Sequence, residues 1–84
     1  MIKHKLNISD LFQTQELALA AALVAWNFPL DSVDKTNKNK ATFIFLRSSD
    51  LDTAIQSFWN NEGQVSPKTY FYALREVKSR IHGE

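Results

Sequence analysis

The chain contains no cysteine, and this absence excludes several kinds of chemistry at once. Without a thiol there is no disulfide framework, no thiolate nucleophile and no zinc–sulfur centre. Secreted domains of this size are usually cross-linked by disulfides, so the composition favours a reducing, cytoplasmic setting. Glycine is also scarce, and the two glycines form no phosphate-binding loop of the GxGxxG or GxxxxGKS/T type, so no bound nucleotide is indicated.

An excess of charge of one sign is missing as well. Ten Lys and Arg oppose nine Asp and Glu, which gives a formal net charge of +1. Strong nucleic-acid binders normally show a clear basic excess, so the balance argues against that class. A local basic patch stays open, because net charge does not describe how the charges are distributed.

The chain also lacks an apolar run that could cross a membrane. The longest run covers residues 17–26, whereas a membrane-spanning helix needs about 20 apolar residues. Asp10 and Glu16, with amide side chains between them, separate Lys3 and Lys5 from this run and break the charged-then-apolar order of a signal peptide. We therefore expect a buried helix here, no targeting segment and no association with a membrane.

The apolar content is ample for one core. Hydrophobic residues make up 44% of the 84 residues, and six Phe, two Trp and two Tyr are among them. This length fits one domain, so we expect residues 1–84 to form a single small globular unit. A domain of this size buries only about 60% of its unfolded surface, so some large rings must lie near the surface.

Periodicity predicts a strand and a helix in the N-terminal third. Apolar and polar residues alternate over residues 2–8, which predicts a half-buried strand. Residues 9–13 then indicate a turn or a short helical turn. Thr14 is the predicted N-cap of an almost entirely apolar helix that runs to about Asn27.

The middle of the chain indicates a β-hairpin. Residues 30–34 are its predicted first strand, and residues 35–40 are the polar, lysine-rich connection. Residues 41–47, ATFIFLR, are strong strand formers, with Phe43 and Phe45 on one face. Both faces of this strand are apolar, so we expect it to be central and covered on at least one side.

Two amphipathic helices follow. Ser49 is the predicted cap of the first, with Asp52 completing a short capping box. The apolar positions of this helix follow i, i+3, i+4 spacing, namely Leu51, Ala54, Ile55, Phe58 and Trp59. Residues 60–63 carry a stop signal. Ser66 and Pro67 mark the start of the second helix, whose predicted core face is Tyr70, Ala73, Leu74, Val77 and Ile81.

The predicted order is therefore β-α-β-β-α-α. It corresponds to an α+β fold in which a small antiparallel sheet packs against three helices. The hairpin and the N-terminal strand form this sheet, although the pattern does not give the strand order.

Four segments of the chain carry a resemblance to a known family: TQELALAAAL, ATFIFLRSSDLDTAI, FWNNEGQVSPKTYFYAL and REVKSRI. Over residues 12–82 the chain resembles a small bacterial and phage domain family that is catalogued as a domain of unknown function. The resemblance implies a free-standing cytoplasmic or phage-encoded protein. It supplies no catalytic residue and no activity.

The residue pattern does not indicate an enzyme. His4 and His82 lie near opposite chain ends, and no His, Asp and Glu cluster has metal-ligand spacing. Asp50 and Asp52 could be paired carboxylates, but favourable charge at a helix N-terminus explains them without catalysis. We therefore predict no catalytic residue, no cofactor and no metal.

Exposed aromatic rings support the leading hypothesis of a protein-interaction module that self-associates. Trp59 lies at the edge of its helical apolar stripe, and Phe71 and Tyr72 lie off theirs. Exposed apolar patches mark contacts with partners, and Trp and Tyr are preferred interface anchors. The alternative is that these rings are scattered and half covered by lysine and arginine stems.

Basic residues around Phe71 support a second hypothesis, a weak nucleic-acid-binding accessory protein. Lys68, Arg75 and Lys78 share a face of the last helix and could contact phosphates while Phe71 or Tyr72 stacks on a base. The hairpin lysines, Lys35, Lys38 and Lys40, could reach into a groove. A solvated charged face explains the same residues without a ligand.

Overall fold

The computed structural model of the protein describes residues 10–83. They form six elements: β1 (Leu11–Thr14), α1 (Leu17–Ala25), β2 (Ser32–Asp34), β3 (Thr42–Leu46), α2 (Ser49–Trp59) and α3 (Pro67–Gly83). The order β-α-β-β-α-α and the α+β class confirm the prediction. The strand predicted over residues 2–8 lies outside the described residues.

β3 is the central strand of the sheet, as predicted. It pairs antiparallel with β1 on one side and β2 on the other, in the order β1-β3-β2. Opposed residues point to the same face, so Phe12 lies beside Phe45 and Val33 beside Phe43. This face is buried, whereas Leu46 on the opposite face is 51% exposed.

α1 is the element on which both of the other helices pack. Its alanines at positions 20–22 are buried, and their small side chains let neighbouring backbones approach closely. Phe43 and Phe45 of β3 pack in the core with side chains from all three helices. These are Leu19 and Leu23 of α1, Leu51 of α2 and Val77 of α3. The core therefore lies between the sheet and the helices, with α1 at its centre.

The first described strand lies where a turn was predicted. β1 covers Leu11–Thr14 because Leu11 to Thr14 pair with β3, and the amide of Arg47 donates to the carbonyl of Asp10 at 2.9 Å. Thr14 is therefore not the N-cap of α1. Its Oγ1 accepts from the amide of Glu16, and Glu16 occupies the N-cap without a side-chain hydrogen bond.

α1 ends at Ala25, two residues before the predicted end. Asn27 adopts a left-handed conformation with a φ of 75°. The amide of Phe28 reaches back to the carbonyl of Leu23 at 2.9 Å, which is the hydrogen bond of a Schellman motif. α2 ends in the same way, because Asn61 has a φ of 60°. The stop signal over residues 60–63 is therefore confirmed.

The caps of the last two helices differ in how well they were predicted. The cap of α2 is Ser48, whose Oγ accepts from the amide of Leu51 at 3.0 Å, so the prediction of Ser49 is wrong by one residue. Asp52 completes no capping box and instead pairs with Arg47 at 3.1 Å. Ser66 caps α3 as predicted, with its Oγ 3.2 Å from the amide nitrogen of Thr69.

Candidate functional site

The outer face of α3 carries most of the residues that the sequence marks as functional candidates. We use this term for five exposed residues spaced three or four apart: Lys68, Phe71, Arg75, Lys78 and His82. Ala73 and Val77 are buried on the inner side of the same helix, so the helical period fixes this face towards solvent. From first to last residue the outer face extends about 21 Å.

Two aromatic rings dominate the first half of α3. Phe71 is 53% exposed and Tyr72 is 54% exposed, and their ring centroids lie 6.1 Å apart. The guanidinium carbon of Arg75 lies 5.8 Å from the centroid of Phe71, within cation–π distance. The arginine therefore contacts the Phe71 ring while more than half of that side chain stays open to solvent.

Trp59 forms a separate aromatic patch at the end of α2. It is 59% exposed and makes an edge-to-face contact with Phe58, with centroids 5.0 Å apart. Among residues 10–83, no ring contact joins Trp59 to Phe71 or Tyr72. The three residues predicted to bind a protein partner thus lie on two helices and form two patches.

The hairpin connection lies against the C-terminal end of α3. The Nζ of Lys35 donates to the carbonyl of Ile81 at 3.1 Å. This contact places Lys38 and Lys40 close to His82, the last residue of the outer face. Sequence analysis identified both basic groups, but a contact across 46 positions leaves no local signal in the sequence.

Hydrogen bonds within the hairpin connection fix its shape. Oδ1 of Asp34 accepts from the amide of Thr36 at 2.9 Å and from its hydroxyl at 2.8 Å. Both hydrogen bonds lower the pKa of Asp34 below its ordinary value of 3.8, and the bond from the backbone amide has the larger effect. Farther along, Oδ1 of Asn37 accepts from the amide of Asn39 at 2.9 Å.

Charges are segregated between two regions of the fold. The acidic region, residues 48–66, comprises α2 and the loop after it, and its only charged residues are Asp50, Asp52 and Glu62. The basic region comprises residues 35–40 and 67–83, with Glu76 as its one carboxylate. Its cations are Lys35, Lys38, Lys40, Lys68, Arg75, Lys78 and Arg80.

Trp26 joins the acidic region to α1. Its Nε1 donates to the carbonyl of Gln64 at 2.9 Å. The indole ring lies so close to Gly63 that a Cβ at this position would collide with Cζ2 and Cη2 of Trp26. Gly63 is therefore required for close approach rather than for a left-handed turn, and no sequence pattern indicated this role.

One protein family matches nearly the whole chain. Its model covers residues 9–83 and is described as a domain of unknown function, DUF5659. The chain belongs to the DUF5659 family. The match includes every described element of this DUF5659 domain and confirms the resemblance to a family without an assigned function. No curated protein and no solved structure matches the chain significantly.

The carboxylates of α2 in this DUF5659 domain lie at the first turn of the helix. Asp50 and Asp52 are both exposed, and Asp52 is paired with Arg47. In the part of the chain that the structure describes, no group of three His, Cys, Asp or Glu could hold a metal ion. In that same part, no helix is long and apolar enough to cross a membrane.

Proposed function

We propose that this DUF5659 domain is a non-catalytic protein-interaction module that self-associates, with α2 of one copy against α3 of the other. One observation carries the proposal: exposed aromatic rings lie on two helices of opposite charge. Trp59 ends the acidic helix, and Phe71 and Tyr72 lie on the basic helix. The partner that fits both patches is a second copy of the chain.

Burial of the exposed rings supplies the attraction. Each of the three side chains is more than half exposed, and the transfer of apolar area from water stabilises association by about 25 cal/mol per Å². Trp and Tyr are also the residue types that most often dominate interface energies. Trp59, Phe71 and Tyr72 are therefore the proposed anchors of the dimer.

Charge complementarity sets which surfaces meet. Charges near the rings make no ion pair with another described residue: Glu62 follows Trp59 by three positions, and Lys68, Arg75 and Lys78 share the face of Phe71. Pairing α3 with α3 would bring cations against cations, whereas pairing α2 with α3 brings carboxylates to cations. In a dimer with two-fold symmetry, the contact between α2 of one copy and α3 of the other occurs twice.

Sedimentation velocity over a concentration series tests self-association. We expect a dimer for the native protein, and at least about a tenfold weaker dimer for Trp59→Ala and for Phe71→Ala. Gln13→Ala is a matched surface control, because this exposed residue lies on β1, outside α2 and α3, and it leaves the dimer intact. A native protein that stays monomeric at high micromolar concentration contradicts the proposal.

A charge exchange tests the pairing of α2 with α3. Glu62→Lys weakens the dimer, and so does Arg75→Glu with Lys78→Glu, because each change places like charges together. A heterodimer of the two variants again places opposite charges together at both contacts, one with the native polarity and one with the polarity reversed, so a mixture forms heterodimers. If the mixture associates no better than either variant alone, the charges do not face each other.

We keep nucleic-acid binding as a second candidate function because of one specific contact. The bond between Lys35 and Ile81 extends the outer face of α3 into the hairpin lysines, so cations and an aromatic ring lie along one surface. Phosphates would contact Lys68, Arg75 and Lys78, with Phe71 or Tyr72 stacked on a base.

Fluorescence anisotropy with labelled single- and double-stranded oligonucleotides tests this candidate. Micromolar binding that falls steeply with salt is expected, because phosphate contacts release counterions. Alanine at Lys68, Arg75 and Lys78 together lowers both the affinity and the salt dependence. Unchanged binding by this triple variant would remove the outer face of α3 as the site.

We further propose a cytoplasmic location and a bacterial or phage origin for the protein. The absence of cysteine from all 84 residues supports a reducing compartment. Fractionation of bacterial cells that produce a tagged full-length chain tests the location. Recovery in the periplasm or in the membrane fraction contradicts it.

A further inference from the structure

A pocket of about 460 Å³ lies between the hairpin connection and the last turn of α3. Among the described residues its walls include three lysines, two asparagines and one histidine, and no carboxylate: Lys35, Asn37, Lys38, Asn39, Lys40 and His82. Cations held on one concave wall repel each other, and a bound anion relieves this repulsion. The composition of the walls therefore favours a negatively charged ligand.

The fold uses only one of these cations. Lys35 is half buried, and its ammonium group donates to the carbonyl of Ile81, so its position is explained by the end of α3. Lys38, Lys40 and His82 are exposed, and their side chains make no hydrogen bond or ion pair with a described residue. Their donors are available to a ligand.

The connection is held in shape before any ligand arrives. The amides of Thr36 and Asn39 are bonded to the side chains of Asp34 and Asn37, each at 2.9 Å. The bond from Lys35 then fixes the connection to α3. A pre-ordered site loses less conformational entropy when it binds, so the affinity is higher than for the same residues in a flexible loop.

We propose that this pocket binds a phosphate group through Lys38, Lys40 and His82. Phosphate carries up to two negative charges and several acceptor oxygens, and lysine binds it as a point charge. The group could belong to a small phosphorylated molecule or to a nucleic-acid backbone. This proposal does not rest on self-association. If the phosphate belongs to a nucleic-acid backbone, the proposal rests on the second candidate function, and the pocket extends the nucleic-acid-binding surface beyond Lys78.

Amide chemical shifts of the full-length chain identify the source of the phosphate. Three probes are titrated at matched ionic strength: inorganic phosphate, adenosine monophosphate and a single-stranded oligothymidylate. We expect the amides of residues 36–41 and 81–83 to shift. Shifts with inorganic phosphate or the mononucleotide indicate a small ligand, and shifts with the oligonucleotide alone indicate a backbone phosphate.

Variants separate the pocket from the rest of the basic region. Lys38→Ala with Lys40→Ala should weaken binding of the effective probe by at least about tenfold, which is about 1.4 kcal/mol. His82→Ala should weaken it less. Gln56→Ala is the matched control, because this exposed residue lies on α2 outside the basic region, and it should leave binding unchanged. All these side chains are exposed, and an unchanged melting temperature confirms that the variants are folded.

Two results would overturn the phosphate site. If the oligonucleotide shifts only amides of residues 68–78, the second candidate function stands and the pocket is not part of it. If no probe shifts residues 36–41 or 81–83, the pocket binds no phosphate from either source. If, in addition, the oligonucleotide shifts no amide of the chain, the second candidate function is contradicted as well.

Discussion

α2 and α3 have similar structural roles in the fold but carry opposite charge. Both helices pack on α1, both expose aromatic rings, and both are capped by a serine. The acidic region around α2 has three carboxylates, one of which pairs with Arg47 directly before the region, whereas the basic region around α3 has seven Lys and Arg and one carboxylate. A formal net charge of +1 is therefore compatible with two strongly unlike surfaces.

The two helices also differ in how they are attached to the core. α2 contributes one fully buried side chain, Leu51, and its C-terminal loop is tied to α1 through Trp26. α3 buries Ala73 and Val77, and its last turns bond to Lys35 and to the carbonyl of Leu30 through Arg80. The acidic helix should therefore depend more strongly on a single residue than the basic helix.

Replacement of that single residue should have the largest effect on stability. Leu51→Ala leaves a cavity beneath α2, and we expect the free energy of unfolding to fall by about 2–5 kcal/mol. Val77→Ala removes fewer carbon atoms from α3, and we expect a loss of about 1–3 kcal/mol. Urea denaturation followed by tryptophan fluorescence measures both. A smaller loss of stability for Leu51→Ala than for Val77→Ala would contradict the expectation that α2 depends more strongly on a single residue than α3.

The attachment of the acidic region to Trp26 predicts the next largest effect. In Gly63→Ala the new Cβ collides with the indole ring, so Trp26 or the loop must shift, and the hydrogen bond to Gln64 is strained. We expect a loss of about 1–3 kcal/mol.

Gly83→Ala is the matched control, because nothing lies within 4 Å of a Cβ at that position. Thermal unfolding of the two variants side by side measures the difference. Equal melting temperatures would show that the loop adapts freely and that Trp26 does not hold it.

The caps provide a finer comparison of the two helices. Ser48→Ala and Ser66→Ala each leave a helix N-terminus without its side-chain acceptor, and each should lower stability by about 1 kcal/mol. Ser49→Ala should change it by less than about 0.5 kcal/mol. Chemical denaturation distinguishes the two positions on α2. An equal loss at Ser48 and Ser49 would contradict the capping geometry.

The error at Ser49 shows where local sequence signals are ambiguous. Two adjacent serines are equally good caps in the sequence, and the choice depends on where the chain leaves β3. α3 carried no such ambiguity, since Ser66, Pro67 and the apolar spacing all indicate the same start. Helices with several agreeing local signals were therefore predicted correctly.

β1 and the pocket between the hairpin connection and α3 were not predicted, for a different reason. β1 exists through its pairing with β3, and four residues with weak alternation do not indicate a strand by themselves. The pocket depends on Lys35 meeting Ile81, which tertiary packing decides. Exposure of Phe71 and Tyr72 was predictable, because the helical period alone places them off the core face.

The smallest expected effect concerns Asp34, which shapes the connection that carries the basic region's lysines. Hydrogen bonds from Thr36 lower the pKa of Asp34 in the folded chain, so its charged form stabilises the fold above the unfolded value of 3.8. This contribution is lost as the pH falls through the lower folded-state value. Asp34→Ala should therefore reduce stability slightly at neutral pH and less in strong acid.

Carbon-detected NMR titration of the Asp34 carboxyl, with the Thr36 amide as a second probe, measures this pKa directly. Asp31→Ala is the matched control for Asp34→Ala, because among the described residues the carboxylate of Asp31 accepts from the hydroxyl of Ser32 and from no backbone amide. A midpoint at or above 3.8 for Asp34 would contradict the hydrogen-bonding argument. If the chemical shift of the Thr36 amide changes together with that of the Asp34 carboxyl, and the amide shifts around Ile81 change at the same pH, the Asp34 carboxylate orders the connection that contacts the end of α3.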